Sequence, residues 1–128
     1  MSKLNHIALI SHSEAESDKF YVDLLGLEKK YTFNVNSKLM NSIFGINKEM
    51  KVVRYGNDNY DLEIFITEDL KVDENSISHI GITVEDKEEF LKKSQSLGFR
   101  VNKILKKDED TYYLFVRDAS GNYFEIKE

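Results

Sequence analysis

Hydrophobic and polar positions alternate along most of this chain, and three stretches of helical spacing interrupt the alternation. Residues 6–10, HIALI, and 79–83, HIGIT, are short β-branched and aliphatic runs, each opened by a histidine. Runs of that length and composition read as strands. A helix signal follows each one. Ser13 with Glu16 makes a capping box ahead of KFYVDLLG, and Asp86 with Glu89 plays the same part ahead of FLKKSQSLG. Each helix stops at a glycine, Gly26 or Gly98, suited to the left-handed position just past a helix end. These glycines fall 20 residues after His6 and 19 after His79, so the two halves keep nearly the same spacing.

Beyond each glycine the alternation resumes as LEKKYTFNV, MKVVRYG and YDLEIFIT in the first half, and as FRVNKILKK, TYYLFVRD and NYFEIKE in the second. The order strand, helix, three strands therefore occurs twice, which predicts an α+β fold of two βαβββ modules with a mainly antiparallel sheet. A single domain spans residues 1–128, with module one at about 1–67, a polar connector at 68–76 and module two at about 77–128. Within module one, SKLMNSIFGI carries Leu39, Ile43 and Ile46 at helical spacing, and a short extra helix is expected there.

Side chains along a strand point alternately to opposite faces, so the neighbours of a polar residue reveal which face it occupies. Ile7 and Leu9 oppose His6, Ala8 and Ile10; Ile80 and Ile82 oppose His79, Gly81 and Thr83. In the strands that close each half, Leu62 and Ile64 oppose Asp61, Glu63 and Phe65, while Phe124 and Ile126 oppose Tyr123, Glu125 and Lys127. The aliphatic faces are beds for the helices, whose Phe20, Leu24, Phe90 and Leu97 need burial. His6, Glu63, His79 and Glu125 are left on the other face, beside the small residues Ala8 and Gly81. Titratable groups on a concave sheet face are costly to desolvate unless paired or bound to a cation. A single His or Glu on a strand is more often solvated than a ligand, but a His and Glu pair in equivalent places of two modules argues for one divalent metal.

Composition narrows the chemistry. The 128 residues include no cysteine, which excludes disulfides, thiolate nucleophiles and thiolate metal clusters. Two imidazoles and two carboxylates favour Ni, Co, Mn, Fe or Zn, and an octahedral ion would keep two positions open, as catalytic metals do. The net charge of −5, with lysines scattered along the chain, argues against nucleic acid as a partner. No apolar run reaches the roughly 20 residues a membrane span requires. The opening MSKLNHIALI lacks the features of a secretory leader, so the expected address is cytoplasmic.

The segments HIALISHSEAESDKFYVDLLGLE, HIGITV and DASGNYFEI resemble glyoxalase I and its relatives in the vicinal oxygen chelate superfamily, over essentially the whole chain. The resemblance implies two βαβββ modules in an open eight-stranded mixed sheet around a metal held by His6, Glu63, His79 and Glu125. It implies enediolate formation by proton abstraction next to a carbonyl, with a glutamate acting as general base: Glu125 first, Glu63 second. Where bacterial glyoxalase I enzymes carry an arginine and an asparagine to hold glutathione, this chain has Ile10 and Thr67, so the substrate need not be a glutathione adduct.

The expected activity is that of a metal-dependent lyase or isomerase acting on a small α-oxo or hydroxy-carbonyl compound, an epimerase being the same chemistry on another substrate. A drug- or metabolite-binding protein of the bleomycin-resistance kind is the alternative, although such relatives generally lack the ligand set. A ring-cleaving iron dioxygenase is disfavoured by Glu63, which would fill a position that oxygen needs. Relatives often dimerise, so a homodimer is a further expectation. His12 reads as a loop or cap residue. Arg54 and Arg117 are either solvated strand-end residues or binders of an anionic substrate, and Phe33, Met40 and Phe44 are core or pocket wall. Tyr112, Tyr113 and Tyr123 are equally open.

Overall fold

A computed structural model describes residues 1–128. The chain divides into two compact units, Met1–Lys71 and Val72–Glu128. In the first, β1 (Ile7–Ser11) leads into α1 (Glu14–Ser17), which a π-helical segment (Asp18–Leu24) continues; β2 (Glu28–Val35), α2 (Ser37–Phe44), β3 (Met50–Gly56) and β4 (Asp61–Ile66) follow. The second unit runs β5 (Ile80–Thr83), α3 (Lys87–Ser96), β6 (Arg100–Leu105), β7 (Tyr112–Arg117) and β8 (Tyr123–Lys127).

The eight expected strands are all present, hydrogen-bonded as two four-stranded mixed sheets ordered β1-β4-β3-β2 and β5-β8-β7-β6. The outer pair of each, β1 with β4 and β5 with β8, is parallel, and the remaining pairs are antiparallel.

The helix signals act as their chemistry demands. Ser13 Oγ accepts from the Glu16 amide at 3.2 Å, and Asp86 Oδ1 accepts from the Glu89 amide at 3.0 Å, so each side chain satisfies a donor that the first turn leaves unpaired. Gly26 and Gly98 take positive φ of 74° and 83° and close the helices. The π-helical continuation of α1 was not legible in the sequence. It buries Phe20 and Tyr21 together, with rings 5.0 Å apart, and Tyr21 lies 5.3 Å from Tyr55 of β3. The Tyr55 hydroxyl donates to Asp18 Oδ1 at 2.7 Å, closing that cluster with a satisfied polar group.

The face assignment holds at the pairing level. Ile7 lies across from Leu62 and Leu9 across from Ile64, on the side where Leu62, Ile64, Val53 and Tyr55 are buried. In the second unit Ile80 faces Phe124 and Ile82 faces Ile126, with Leu114, Val116, Phe90 and Leu91 completing the core. The extra helix α2 is present, capped by Asn36, whose side chain accepts from the Leu39 amide. Met40 is buried, while Leu39 and Ile43 face out. Helical spacing identified the helix but not its buried side, because the apolar residues at 39 and 43 are not the ones that this unit's core takes in.

Candidate metal half-sites

Both histidines stand one residue ahead of their strands, and both reach the glutamate of the neighbouring parallel strand. The register sets Ala8 opposite Glu63 and Gly81 opposite Glu125, so the small residues leave the glutamates uncovered. A Cβ built on Gly81 meets nothing within 4 Å, confirming open space beside Glu125.

In the first unit His6 Nε2 lies 3.3 Å from Glu63 Oε1, and His6 Nδ1 lies 2.7 Å from Asn5 Oδ1. In the second, His79 Nε2 lies 3.6 Å from Glu125 Oε1, and Nδ1 lies 2.8 Å from the Ile77 carbonyl. A carbonyl can only accept, so His79 Nδ1 carries the hydrogen. The same follows for His6, because Asn5 Oδ1 also accepts from Arg54 Nη2, at 3.3 Å, which identifies that atom as the amide oxygen. With Nδ1 committed as a donor, Nε2 is the ring nitrogen turned toward a carboxylate oxygen. Two acceptors facing each other repel unless a proton or a cation stands between them.

These features fit a divalent metal. Metal-bound imidazoles generally donate their other N–H to a carbonyl or carboxylate, as both rings do here. Nitrogen and oxygen ligands about 2.0–2.2 Å from one ion and separated by ordinary coordination angles lie about 3.0–3.5 Å apart, close to the observed 3.3 and 3.6 Å. Within either unit, no further His, Asp or Glu side chain joins the pair to form a group of three that could hold a metal. Each unit thus pairs one histidine with one glutamate.

The two halves differ in what stands across the next strand pair. Glu63 faces Arg54 of β3, whereas Glu125 faces Phe115 of β7. Arg54 Nη1 donates to Glu63 Oε2 at 3.0 Å, while Nε and Nη2 approach Asp61 Oδ2 at 2.9 and 2.8 Å. Hydrogen bonds from Lys30 oppose the desolvation of Asp61 and, with those from Arg54, hold its carboxyl below the usual carboxylate range. Phe115 instead packs its ring 5.5 Å from that of His79 and stacks on Tyr123 at 4.8 Å. The nearest cation to Glu125 is Lys127, at 3.7 Å.

Arg54 is therefore neither solvated nor free for an anion; it belongs to the Glu63 network. Sequence reasoning missed this role and those of Asn5 and Asp61. Alternation does place Asp61 on the face of Glu63, but the pairing of Arg54 with Glu63 depends on the β3–β4 register. Arg117 is likewise committed: it donates to the carbonyls of Gly121 and Glu74 at 2.6 and 3.1 Å and lies over the Tyr123 ring. It braces the turn before β8, where Asp118 also accepts from the Asn122 amide, and this turn sets the strand that carries Glu125. His12 Nε2 meets the Leu70 carbonyl at 2.7 Å, a structural tie apart from the His6–Glu63 pair. Met40 is core, whereas Phe44 is exposed and sets its ring edge against Phe65. Thr67 is buried, donating its amide to the Ser11 carbonyl and accepting from the Asp69 amide.

No helix is long and apolar enough to cross a membrane. A search of curated proteins returns no match. Among solved structures, a glyoxalase family protein from Enterococcus faecalis is 19% identical, covering 98% of this chain and 97% of its own, with a TM-score of 0.74. A glyoxalase family protein from Bacillus cereus is 14% identical, covering 98% and 93%, also at 0.74. A mutant of the fosfomycin resistance protein FosX from Listeria monocytogenes, complexed with Mn(II) and 1S,2S-dihydroxypropylphosphonic acid, is 16% identical over 99% and 90%, at 0.73. At these identities the likeness concerns the fold. The sequence model for the Glyoxalase/Bleomycin resistance protein/Dioxygenase superfamily matches residues 3–126, and the chain belongs to that superfamily.

Proposed function

We propose that this protein is a divalent-metal-dependent lyase or isomerase of glyoxalase type, acting on a small α-oxo or hydroxy-carbonyl substrate. His6, Glu63, His79 and Glu125 would together hold one ion of Ni, Co, Mn, Fe or Zn. The observation that carries this reading is the repeated His–Glu pair, with Nδ1 committed and Nε2 facing a carboxylate oxygen in both units. When bound, the metal would supply Lewis-acid stabilisation of charge developing on a substrate oxygen.

Glu125 would serve as the general base, taking a proton from the carbon next to the carbonyl and returning it to the product. Its surroundings favour that role over Glu63: no guanidinium is bonded to it, and Gly81 leaves space alongside. Glu63, held by Arg54, is suited to remain a ligand. The commitment of Thr67 to its own backbone surroundings, together with Ile10, supports a substrate other than a glutathione adduct.

The test is a screen of α-oxo acids, α-hydroxy ketones and thiol hemithioacetals with metal-loaded protein, with fosfomycin included because the FosX neighbour was crystallised with a related phosphonate. Turnover that disappears with chelator and with Glu125→Gln supports the reading. Ligand binding that is indifferent to chelator, without turnover, would instead favour the drug- or metabolite-binding alternative.

A further inference from the structure

Four side chains of the first unit close a ring. Arg54 Nη1 donates to Glu63 Oε2, Glu63 Oε1 faces His6 Nε2, His6 Nδ1 donates to Asn5 Oδ1, and Asn5 Oδ1 accepts from Arg54 Nη2. Asp61 anchors the guanidinium from behind. The second unit has no counterpart, since Phe115 occupies the place of Arg54 and a backbone carbonyl the place of Asn5.

We infer that Arg54 is a positioning residue that makes Glu63 a one-oxygen ligand. This rests on the metal-binding reading proposed above. The guanidinium occupies Oε2, so only Oε1 is available on the His6 side, and a two-oxygen grip by Glu63 is blocked. Because the guanidinium is itself held at Nε and Nη2 by Asp61, its Nη1 fixes the position of Glu63 Oε2, which a lysine with its single nitrogen would do less completely. Asn5 couples the imidazole to the same anchor, so both donors of this half are oriented before any metal arrives. Glu125, outside such a ring, is the carboxylate left free to leave.

The test uses the full-length protein, Arg54→Met, Arg54→Lys and Co(II) as the probe. In apoprotein, nitrogen-15 spectra of the imidazoles should show Arg54→Met altering the His6 signals and leaving those of His79 unchanged. On Co(II) addition, Arg54→Met should change the position and intensity of the visible bands, because Glu63 can then bind through both oxygens. Arg54→Lys should restore most of the wild-type spectrum. Far-UV circular dichroism confirms that the variants fold. If the wild type binds Co(II) and Arg54→Met gives the same spectrum, the role of Arg54 is overturned while the metal reading stands. If the wild type binds neither Co(II) nor any of Ni, Mn, Fe and Zn, the metal reading fails and the ligand role of Glu63 fails with it. His6 signals unchanged in apo Arg54→Met would overturn the ring itself.

Discussion

His79 Nε2 lies 3.6 Å from Glu125 Oε1 while the other ring nitrogen donates to the Ile77 carbonyl, and His6 repeats the relationship with Glu63 at 3.3 Å. A proton can fill the gap between nitrogen and carboxylate, and so can a metal. The two occupants compete, so metal uptake should release protons and weaken as pH falls. Titrating Co(II) at a series of pH values, with proton release followed by an indicator, checks this; uptake independent of pH would contradict it.

The space beside Gly81 makes a separable prediction. Gly81→Val places a β-branched side chain in a strand where nothing obstructs its Cβ. Stability should hold or rise by up to about 1 kcal/mol, since glycine weakens a strand interior. Metal or substrate binding beside Glu125 should suffer all the same. Thermal unfolding and Co(II) titration of the one variant separate the two effects, and a large loss of stability would show that the space is not open.

Tyr55→Phe should destabilise the first unit by about 1–3 kcal/mol, because it deletes a hydrogen bond to the Asp18 carboxylate inside the Phe20, Tyr21 and Tyr55 cluster. Burial and Asp18 push the Tyr55 hydroxyl well above the usual phenol range, so it stays protonated through any ordinary titration. Urea unfolding measures the loss, and an unchanged midpoint would remove the hydrogen bond from the account.

That cluster also marks the limit of what the sequence made legible. Periodicity, caps and glycine stops located every strand and helix, because each depends on local spacing and backbone chemistry. The facing of His6 with Glu63 and of His79 with Glu125 was legible for the same reason: each pair follows from strand alternation plus the duplication. What was not legible depends on pairing between strands. Arg54 meets Glu63 only through the β3–β4 register, and the π-helical turn that buries Phe20 and Tyr21 together has no local signature. The outward face of α2 likewise depends on which residues the rest of the unit has room to bury.

Glu14 links α1 to two strands, its carboxylate bonded to Lys29 of β2 at 2.8 Å and to Lys51 of β3 at 2.6 Å. Those two lysines, Lys29 first, hold its carboxyl below its ordinary value of 4.5. Because the folded value is the depressed one, the contribution is complete above about pH 4.5 and fades as pH falls through the folded value. Glu14→Gln should therefore be less stable than wild type near neutrality, with the gap closing as pH falls below 4.5 and through the folded value. Thermal midpoints of both proteins from pH 7 to pH 3 test this; a gap that persists in acid would assign the effect to packing.

The most direct test of the central claim is metal stoichiometry by elemental analysis, on wild type and on a His6→Ala, His79→Ala double variant, each loaded in turn with Ni, Co, Mn, Fe and Zn and then desalted. The account predicts about one equivalent of at least one of these metals per chain of wild type and none in the double variant. A wild type that retains none of the five, or a double variant that retains as much as the wild type, would contradict it.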